Sequence, residues 1–433
     1  DIYARLSGVL GQTAVATGTI ANIDKQDPTC TKKWYEKVDT DQIILYIQAA
    51  DSQSGVNRVQ CSVSTASGSY NNWKMFDTNW DSEKNAYKCI ITPSTFGHFG
   101  QNYLIYLYVY DNVGNGGKID ESTASVPQAI ALVNSTYYSS VTKAIAAISS
   151  SGTITMINNT SETVTFPSGK NITFNQNGKT LSGYIKNQGT LTLYGGTLNA
   201  NGQSNAVVNT GTFNFLSGTM LTNGGSTGGW TLYNSSGTIN MSGGTVQYTA
   251  SDNGTAVMNN GRFNMSSGTI TSNSFGLVTR GGTTNVTGGN IQGKTSVLTD
   301  NNGNAYIRNT TISGTYIALE VGGLQFFDCN LSTTTSISGP VIEVVRTGVG
   351  FNVYYYDQSS SRANIQMPIW TAKKVGNTDQ DDLVWHDANV GSRYYTKVWC
   401  CEINKASHNN ETGRYIIHIY TNGNQIIANT EYT

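Results

Sequence analysis

Residues 189–323 of this 433-residue chain repeat a short pattern that is bounded by glycine. Aligned on the first glycine, successive rows read GTLTLYGGTL, GTFNFLSGTM, GTINMSGGTV, GRFNMSSGTI, GTTNVTGGNI and, in degraded form, GNAYIRNTTI. The rows begin 21 to 26 residues apart, and apolar residues alternate with polar ones inside each row. Alternation is typical of a β-strand, and a repeat of this length is typical of one solenoid coil. The rows are therefore predicted to stack as successive coils.

Each predicted coil contains three short apolar runs separated by turns. In one coil these runs are Leu191 with Leu193, then Leu198, then residues 206–208. A second glycine in each row, such as Gly244, falls where the backbone must turn a corner that a Cβ would obstruct. Three strands per coil predict a right-handed parallel β-helix of about nine coils, each hydrogen-bonded to its neighbours.

The chain changes character just before the repeat. Val141, Ala144, Ile145 and Ile148 share one helical face, and a preceding serine is the expected N-cap. The first coil would otherwise expose its core and an unpaired strand edge, so this helix is predicted to cap it.

Strand-like runs separated by Asp-, Asn- and Gly-rich turns lie on both sides of the repeat, and they predict immunoglobulin-type β-sandwiches. The stretch Ala21-Asn22-Ile23-Asp24-Lys25-Gln26-Asp27-Pro28 resembles the interdomain junction of tandem bacterial immunoglobulin-like repeats. Residues 1–27 are therefore interpreted as a linker or the end of a preceding module. The remaining predicted divisions are a sandwich over 28–120, a connector with the capping helix over 121–151, the β-helix over 152–358 and a second sandwich over 359–433.

The C-terminal region carries the clearest family resemblance. Met367-Pro368-Ile369-Trp370, residues 380–385, His408, Tyr415 and residues 417–420 resemble the GBS Bsp-like repeat of bacterial surface proteins and cell-wall hydrolases. Residues 72–77, His98 and residues 103–110 match the same pattern more loosely. The resemblance implies a Gram-positive-type cell-surface protein with an accessory attachment module. Trp370 and Trp385 are interpreted as core residues of that module in preference to a platform for a sugar ring, because large aromatic residues dominate such cores.

Composition excludes several classes of function. Charged residues make up 12% of the chain and the formal net charge is -1, so neither nucleic acid nor an anionic membrane is an expected partner. No apolar run approaches the ~20 residues that a membrane span requires. We expect an extracellular, cell-surface protein whose anchor lies outside this chain, which begins with Asp1 and looks like a processed protein or a fragment.

Six cysteines in so long a chain do not indicate a disulfide scaffold. A bridge between Cys61 and Cys89 and buried free thiols both stay open. The chain has no C-x-x-C pair, and neither a metal nor a cofactor is expected.

One column of polar residues follows the third strand of successive coils and should stack about 4.8 Å apart. It comprises Asn209, Asn234, Asn259, Arg280, Asp300, Glu320 and Glu343. One interpretation is a side-chain ladder, in which stacked amides bond one another and Arg280 neutralises the first carboxylate. The other is a cation or substrate site, because three neighbouring carboxylates repel one another. The ladder is favoured, since structural ion pairs also cluster charges.

Right-handed β-helices host many polysaccharide lyases and hydrolases, but those reactions need convergent acids and bases. Residues 152–346 contain few carboxylates and no histidine, so no catalytic residue is assigned. The leading prediction is a non-catalytic adhesin that binds a cell-wall or mucin-type glycan, or a host glycoprotein such as an immunoglobulin. The alternative is a carbohydrate-active β-helix enzyme, a polysaccharide lyase or glycoside hydrolase, with its site on the column from Arg280 to Glu343.

The predicted binding residues fall into two groups. Aromatic residues in the turns are expected to be exposed, because the repeating core does not require them, although lateral packing would also account for them. The charged end of the column supplies the second group. The full set is Trp230, Tyr233, Tyr248, Phe275, Arg280, Asp300, Glu320 and Glu343.

Overall fold

The computed structural model describes residues 2–7, 13–18, 23–65, 72–223, 228–250, 252–332, 335–359, 363–372, 380–422 and 425–433. Within these ranges the protein is an all-β structure with a single α-helix, as the sequence predicts. It divides into two compact units, Asp1–Ala129 with Ser135–Ser139, and Ile130–Asn134 with Ser140–Thr433.

The first unit contains a hairpin, Ile2–Ser7 with Thr13–Gly18, followed by seven antiparallel strands. These strands are Thr29–Val38, Ile43–Ala50, Val56–Thr65, Lys74–Asp81, Ala86–Ile91, Gln101–Asp111 and Gly116–Val126, with a 3-10 turn at Pro93–Thr95 and a short strand at Thr136–Tyr138. Lys74–Asp81 pairs through its first half with Val56–Thr65 and through its second half with Ala86–Ile91. The strands share one apolar core. Immunoglobulin-type topology stays a prediction for this unit.

The second unit is built on a parallel β-helix with three sheets. Sheet 1 contains Ser151–Met156, Asn171–Asn175, Thr190–Tyr194, Thr212–Phe215, Thr238–Met241, Arg262–Met265, Thr283–Val286, Gly303–Arg308, Gly322–Phe327 and Val341–Arg346. Sheet 2 contains Thr160–Ser161, Thr180–Ser182, Thr197–Asn199, Thr219–Thr222, Thr245–Tyr248, Thr269–Ser272, Asn290–Gln292, Thr311–Ser313 and Asn330–Leu331. Sheet 3 contains Val164–Phe166, Ile185–Asn187, Asn205–Asn209, Trp230–Asn234, Thr255–Asn259, Phe275–Arg280, Thr295–Asp300, Tyr316–Leu319 and Ser336–Ser338. The predicted solenoid of about nine coils is confirmed, since sheets 2 and 3 each have nine described strands.

The two glycines of each repeat row serve different steric needs. A Cβ on Gly237, the first glycine of its row, would lie 2.1 Å from the carbonyl oxygen of Gly211 in the coil before. The second glycine of that row, Gly244, has a φ of 77°, which a residue with a Cβ adopts only with strain. Close stacking of the coils and the corner between sheets 1 and 2 therefore both depend on glycine.

The predicted capping helix is confirmed at Val141–Ala147. The Ser140 hydroxyl accepts a hydrogen bond from the backbone N–H of Lys143, so Ser140 is the N-cap. The Glu162 carboxylate accepts two more of the helix's first N–H groups, those of Val141 and Thr142, at 2.8 and 3.1 Å. The buried face consists of Val141, Ala144 and Ile145, as predicted.

At the other end the β-helix continues into the C-terminal module. Gly350–Tyr356 pairs antiparallel with both Val341–Arg346 and Thr396–Asn404, and Asn389–Arg393 extends the sheet. A second sheet of the module contains Val384–Asp387, Ile365–Ala372, Arg414–Thr421 and Gln425–Tyr432, and Lys405–His408 forms a 3-10 turn. Phe327 and Val344 of the β-helix share one core with Ile369 and Trp399 of the module. The module is thus fused to the last coil, and the predicted boundary at residue 359 stays a prediction.

Candidate functional site

The outer face of sheet 3 is apolar over several coils. In Thr255–Asn259 all five residues are buried, because neighbouring residues of a strand point to opposite faces and both faces are covered. Val257 points into the β-helix, and Met258 points outward with 6% of its surface exposed. Tyr233, Met258, Val278 and Leu298 occupy the same register on adjacent coils. They form an apolar column on the outside of the solenoid.

Beside this column runs a groove, which we call the sheet 3 groove. It has a volume of about 200 Å³ and is lined by Trp230, Asn253, Thr255, Met258, Phe275, Val278, Arg280 and Leu298. Trp230 and Phe275 lie in the same register with Thr255 between them. The ring centroids of Trp230 and Tyr233 lie 4.4 Å apart, so these two rings support one another. Three of the predicted aromatic residues are therefore brought together, each partly exposed.

The charged side chain of Arg280 lines the sheet 3 groove and is paired with a carboxylate of the next coil. The Arg280 guanidinium contacts Asp300 Oδ2 through Nη2 at 2.9 Å and through Nε at 3.0 Å. The Arg280 side chain is 50% exposed, and Asp300 is 20% exposed. Glu320 follows on the next coil and is exposed. Arg280, Asp300 and Glu320 are thus neighbours, as predicted, and the first two form an ion pair.

The asparagines of the predicted column form a buried amide ladder inside the β-helix. Nδ2 of Asn209 donates to Oδ1 of Asn234 at 2.9 Å, and Nδ2 of Asn234 donates to Oδ1 of Asn259 at 2.8 Å. Asn187 extends the ladder by one coil, at 2.7 Å from Asn209. Thr279 and Thr299 continue this inward column, so Arg280 and Asp300 lie one residue further on and point outward. The ladder interpretation is therefore confirmed for the asparagines.

Two predicted binding residues lie elsewhere. Tyr248 was predicted to be exposed but has only 1% of its surface exposed, because its ring is covered by the turn that ends at Gly254. Its hydroxyl donates to the Asp252 carboxylate. Burial, followed by this contact, raises the pKa of Tyr248 to about 12. It cannot contact a ligand at the surface.

Glu343 was predicted to continue the charged column, and this prediction is wrong. The chain leaves sheet 3 after Ser338, so Glu343 lies in sheet 1 opposite Phe326 and is fully buried. Arg393 of the C-terminal module contacts it through Nη2 and Nε, each at 3.1 Å, and the hydroxyl of Tyr356 donates to it. Burial lowers the pKa of Arg393, but its contacts with Glu343 outweigh this effect and raise it. Glu343 joins the module to the solenoid and does not face a ligand.

One of the two tryptophans interpreted as core residues of the C-terminal module differs from expectation. Trp370 is 6% exposed and belongs to the core, as predicted, whereas Trp385 is 47% exposed. Trp385 lies on the edge strand Val384–Asp387, and its ring packs on Tyr420 at a centroid distance of 5.2 Å.

All six cysteines are free thiols, including the buried Cys61 and Cys89.

A group of carboxylates in the first unit, which no sequence pattern indicated, could hold a hard cation such as Ca²⁺. Among the described residues, Asp24, Asp51 and Asp111 bring one carboxylate oxygen each to within 4.8 Å of the others. Asp51 accepts backbone N–H groups of its own turn, and Asp111 does the same and also accepts from the Asn115 side chain. Burial, which is nearly complete for Asp111 and partial for Asp51, raises the pKa of each carboxyl group, but these hydrogen bonds outweigh it and lower both pKa values. Each of these two aspartates thereby stabilises the turn in which it lies.

Comparison with known proteins identifies one module. Residues 347–431 match the family described as GBS Bsp-like repeat, which agrees with the predicted resemblance of the C-terminal region. No curated protein and no solved structure matches the chain. Over the described residues, the structure contains no helix with the length and hydropathy that a bilayer-spanning segment requires. The β-helix and the repeat together suggest a surface protein.

Proposed function

We propose that this chain is a non-catalytic, extracellular surface protein that binds a glycan in the sheet 3 groove. The observation that carries this proposal is the aromatic and apolar outer face of sheet 3. Ligand sites are typically concave and apolar, with a few fixed polar groups that set orientation. Trp230 and Phe275 offer flat apolar surfaces to a sugar ring, and the fixed guanidinium of Arg280 offers donors to its hydroxyl groups.

The size of the groove favours a glycan over a protein surface. A stable protein–protein contact buries roughly 800 Å² on each partner, usually over a broad surface. A groove of about 200 Å³ instead suits one or two sugar rings. A host glycoprotein would then be bound through its glycans.

The charged residues support binding rather than bond cleavage. Glycoside hydrolysis uses two carboxylates, one as acid and one as base or nucleophile. Asp300 is engaged by Arg280 through two contacts, and residues 152–346 contain no histidine that could act in its place. The arrangement therefore offers a ligand contact but a poor acid–base pair.

A glycan array combined with product analysis tests this proposal. We expect binding of mucin-type or cell-wall glycans with no new reducing ends and no unsaturated products. Trp230→Ala and Phe275→Ala should each weaken binding about tenfold or more, as expected for the loss of an aromatic anchor. Tyr306→Ala is the matched control, because Tyr306 is an exposed aromatic on sheet 1, outside the groove. Release of cleaved product would support the enzyme instead, and equal binding by all variants would contradict the groove assignment.

A further inference from the structure

Two histidines of the C-terminal module contact each other through their rings. His386 lies on the edge strand Val384–Asp387, and His408 is the last residue of the 3-10 turn Lys405–His408. Their Nε2 atoms are 3.3 Å apart. His408 is fully buried, and His386 is partly buried. We call these two residues the histidine pair.

The surroundings of His408 determine which of its nitrogens carries the proton. Its Nδ1 lies 3.1 Å from the backbone carbonyl oxygen of Asp382, which can only accept a hydrogen bond. Nδ1 must therefore donate, and in neutral His408 this leaves Nε2 as an acceptor. His386 must then carry its proton on Nε2 and donate it to His408. The contact is thus a hydrogen bond between two neutral rings.

This arrangement can hold one additional proton but not two. If His386 takes up a proton on Nδ1, its Nε2 still donates to the bare Nε2 of His408. A second proton would place the N–H groups of two cations against each other, with no acceptor between them, and like charges in contact disfavour the charged form. In agreement with this, burial, followed by repulsion from His408, lowers the pKa of His386.

The neighbouring groups can offset one positive charge on the pair. Ionisable residues of the adjoining segments are Asp382, Asp387, Cys401, Lys405, Glu411 and Tyr415. The Asp382 carboxylate is nearest, with Oδ2 at 3.5 Å from Nδ1 of His408, and it also accepts from the N–H and hydroxyl of Thr371. Glu411 contacts the same hydroxyl at 2.7 Å. Burial raises the pKa of Cys401 to about 12, so this thiol contributes no charge.

We propose that the histidine pair is an acid-sensitive contact that holds the edge strand Val384–Asp387 at neutral pH and releases it when both rings are protonated. Among the described residues, this strand pairs with a single neighbour, Ile365–Ala372, in which Pro368 has no N–H to donate. Two of the four residues of the edge strand are exposed. The strand therefore has few other contacts to hold it. The proposal does not depend on the sheet 3 groove, which lies on the β-helix.

The size of the effect follows from the number of protons that each state binds. In the open strand both imidazoles are expected to have an ordinary pKa near 6.5, whereas the closed pair holds one proton fewer than two. The stability that this difference contributes is complete above pH 6.5 and is lost as the pH falls. The opening equilibrium should therefore rise about thirtyfold between pH 7.5 and pH 5.

Amide hydrogen exchange of the full chain measures this opening over residues 384–387, once the rates are corrected for the intrinsic rate at each pH. His386→Gln keeps a side chain that can donate or accept and that does not titrate, so the opening equilibrium should change by less than about threefold between the two pH values. His418→Gln is the matched control and should retain the full increase. His418 is a histidine of the same module whose pKa burial also lowers, but its ring packs on Trp370.

Imidazole ¹⁵N spectra of the full chain test the proton positions independently. The chain has four histidines, and the two variants assign their signals. At pH 8 we expect His408 to be protonated on Nδ1 and His386 on Nε2, and any other combination would overturn the proposal.

The exchange data can overturn it in three further ways. These are an unchanged opening equilibrium at pH 5, an equal increase in His386→Gln, or loss of the increase in His418→Gln. Strand Gly350–Tyr356, in the other sheet of the module, should keep its protection at pH 5. If it lost protection by the same factor, the module would unfold as a whole and the edge strand would not be the element released.

Discussion

The buried ion pair between Glu343 and Arg393 should dominate the stability of the junction between the β-helix and the C-terminal module. Glu343 is fully buried, and the Arg393 side chain is only 29% exposed. Arg393→Met would leave the carboxylate buried without a cation, which typically costs about 3–5 kcal/mol. Because Arg393 keeps some exposure, we expect the lower end of that range.

Replacing both partners should cost much less than replacing Arg393 alone. In Glu343→Gln/Arg393→Met no charge remains buried, and the amide can still accept from the hydroxyl of Tyr356. We expect a total cost of about 1 kcal/mol in the free energy of opening, so the double variant should be about 2 kcal/mol more stable than Arg393→Met alone.

The two units are not expected to unfold in a single transition, so a local measurement is needed. Amide hydrogen exchange over residues 339–356 reports the opening free energy of the junction directly. Arg414→Met serves as the matched control, because Arg414 pairs with Glu431 at the surface, where the side chains are 27% and 52% exposed. Such a pair should contribute at most about 1 kcal/mol. If Arg393→Met cost no more than Arg414→Met, or the double variant were as unstable as the single one, the reasoning would be refuted.

Three further outcomes follow from the β-helix itself. Gly237→Ala should destabilise the β-helix by about 1–3 kcal/mol, because the added Cβ meets a backbone carbonyl. Gly391→Ala is the control and should cost far less, because its Cβ meets nothing within 4 Å. Urea unfolding measures both variants, and equal effects would contradict the stacking argument. Asn234→Leu should cost about 1–3 kcal/mol in the same assay, because it removes the side-chain hydrogen bonds of Asn234 to its ladder neighbours and to the carbonyl groups of Gly237 and Arg262. A neutral result would mean that the ladder contributes little. The raised pKa of Tyr248, about 12 against an ordinary 10, contributes stability that is complete below pH 10 and is lost as the pH rises towards 12. Tyr248→Phe should therefore flatten the decline in stability between these pH values, and an unchanged pH profile would show that the tyrosine does not titrate as described.

Local periodicity made the β-helix predictable from sequence. Every row carries its own strands and corner glycines, so the coil can be derived without knowing any distant contact.

The sheet 3 groove was also visible in principle. Val257 and Met258 are adjacent apolar residues in one strand, and such neighbours must face opposite sides. The apolar runs that close each coil therefore imply an apolar outer face of sheet 3 as well as an apolar core.

Features that depend on the length of a turn or on residues far apart in the chain could not be predicted. The sequence around Tyr248 does not show whether its ring is exposed or buried. The ring is buried because the chain at Gly254 lies against it. Glu343 follows the spacing of the column, yet the chain has by then passed into another sheet.

Antiparallel strands close sheet 1 at both ends of the parallel stack. Ala131–Val133 pairs with the first coil, and Gly350–Tyr356 pairs with the last. In the described part of the chain, the outermost coils of sheet 1 therefore pair with antiparallel strands and not with a further parallel coil. The length of the solenoid can instead change in evolution by duplication or loss of a whole internal row. Each such event would move the two ends by about 4.8 Å and leave both closures intact.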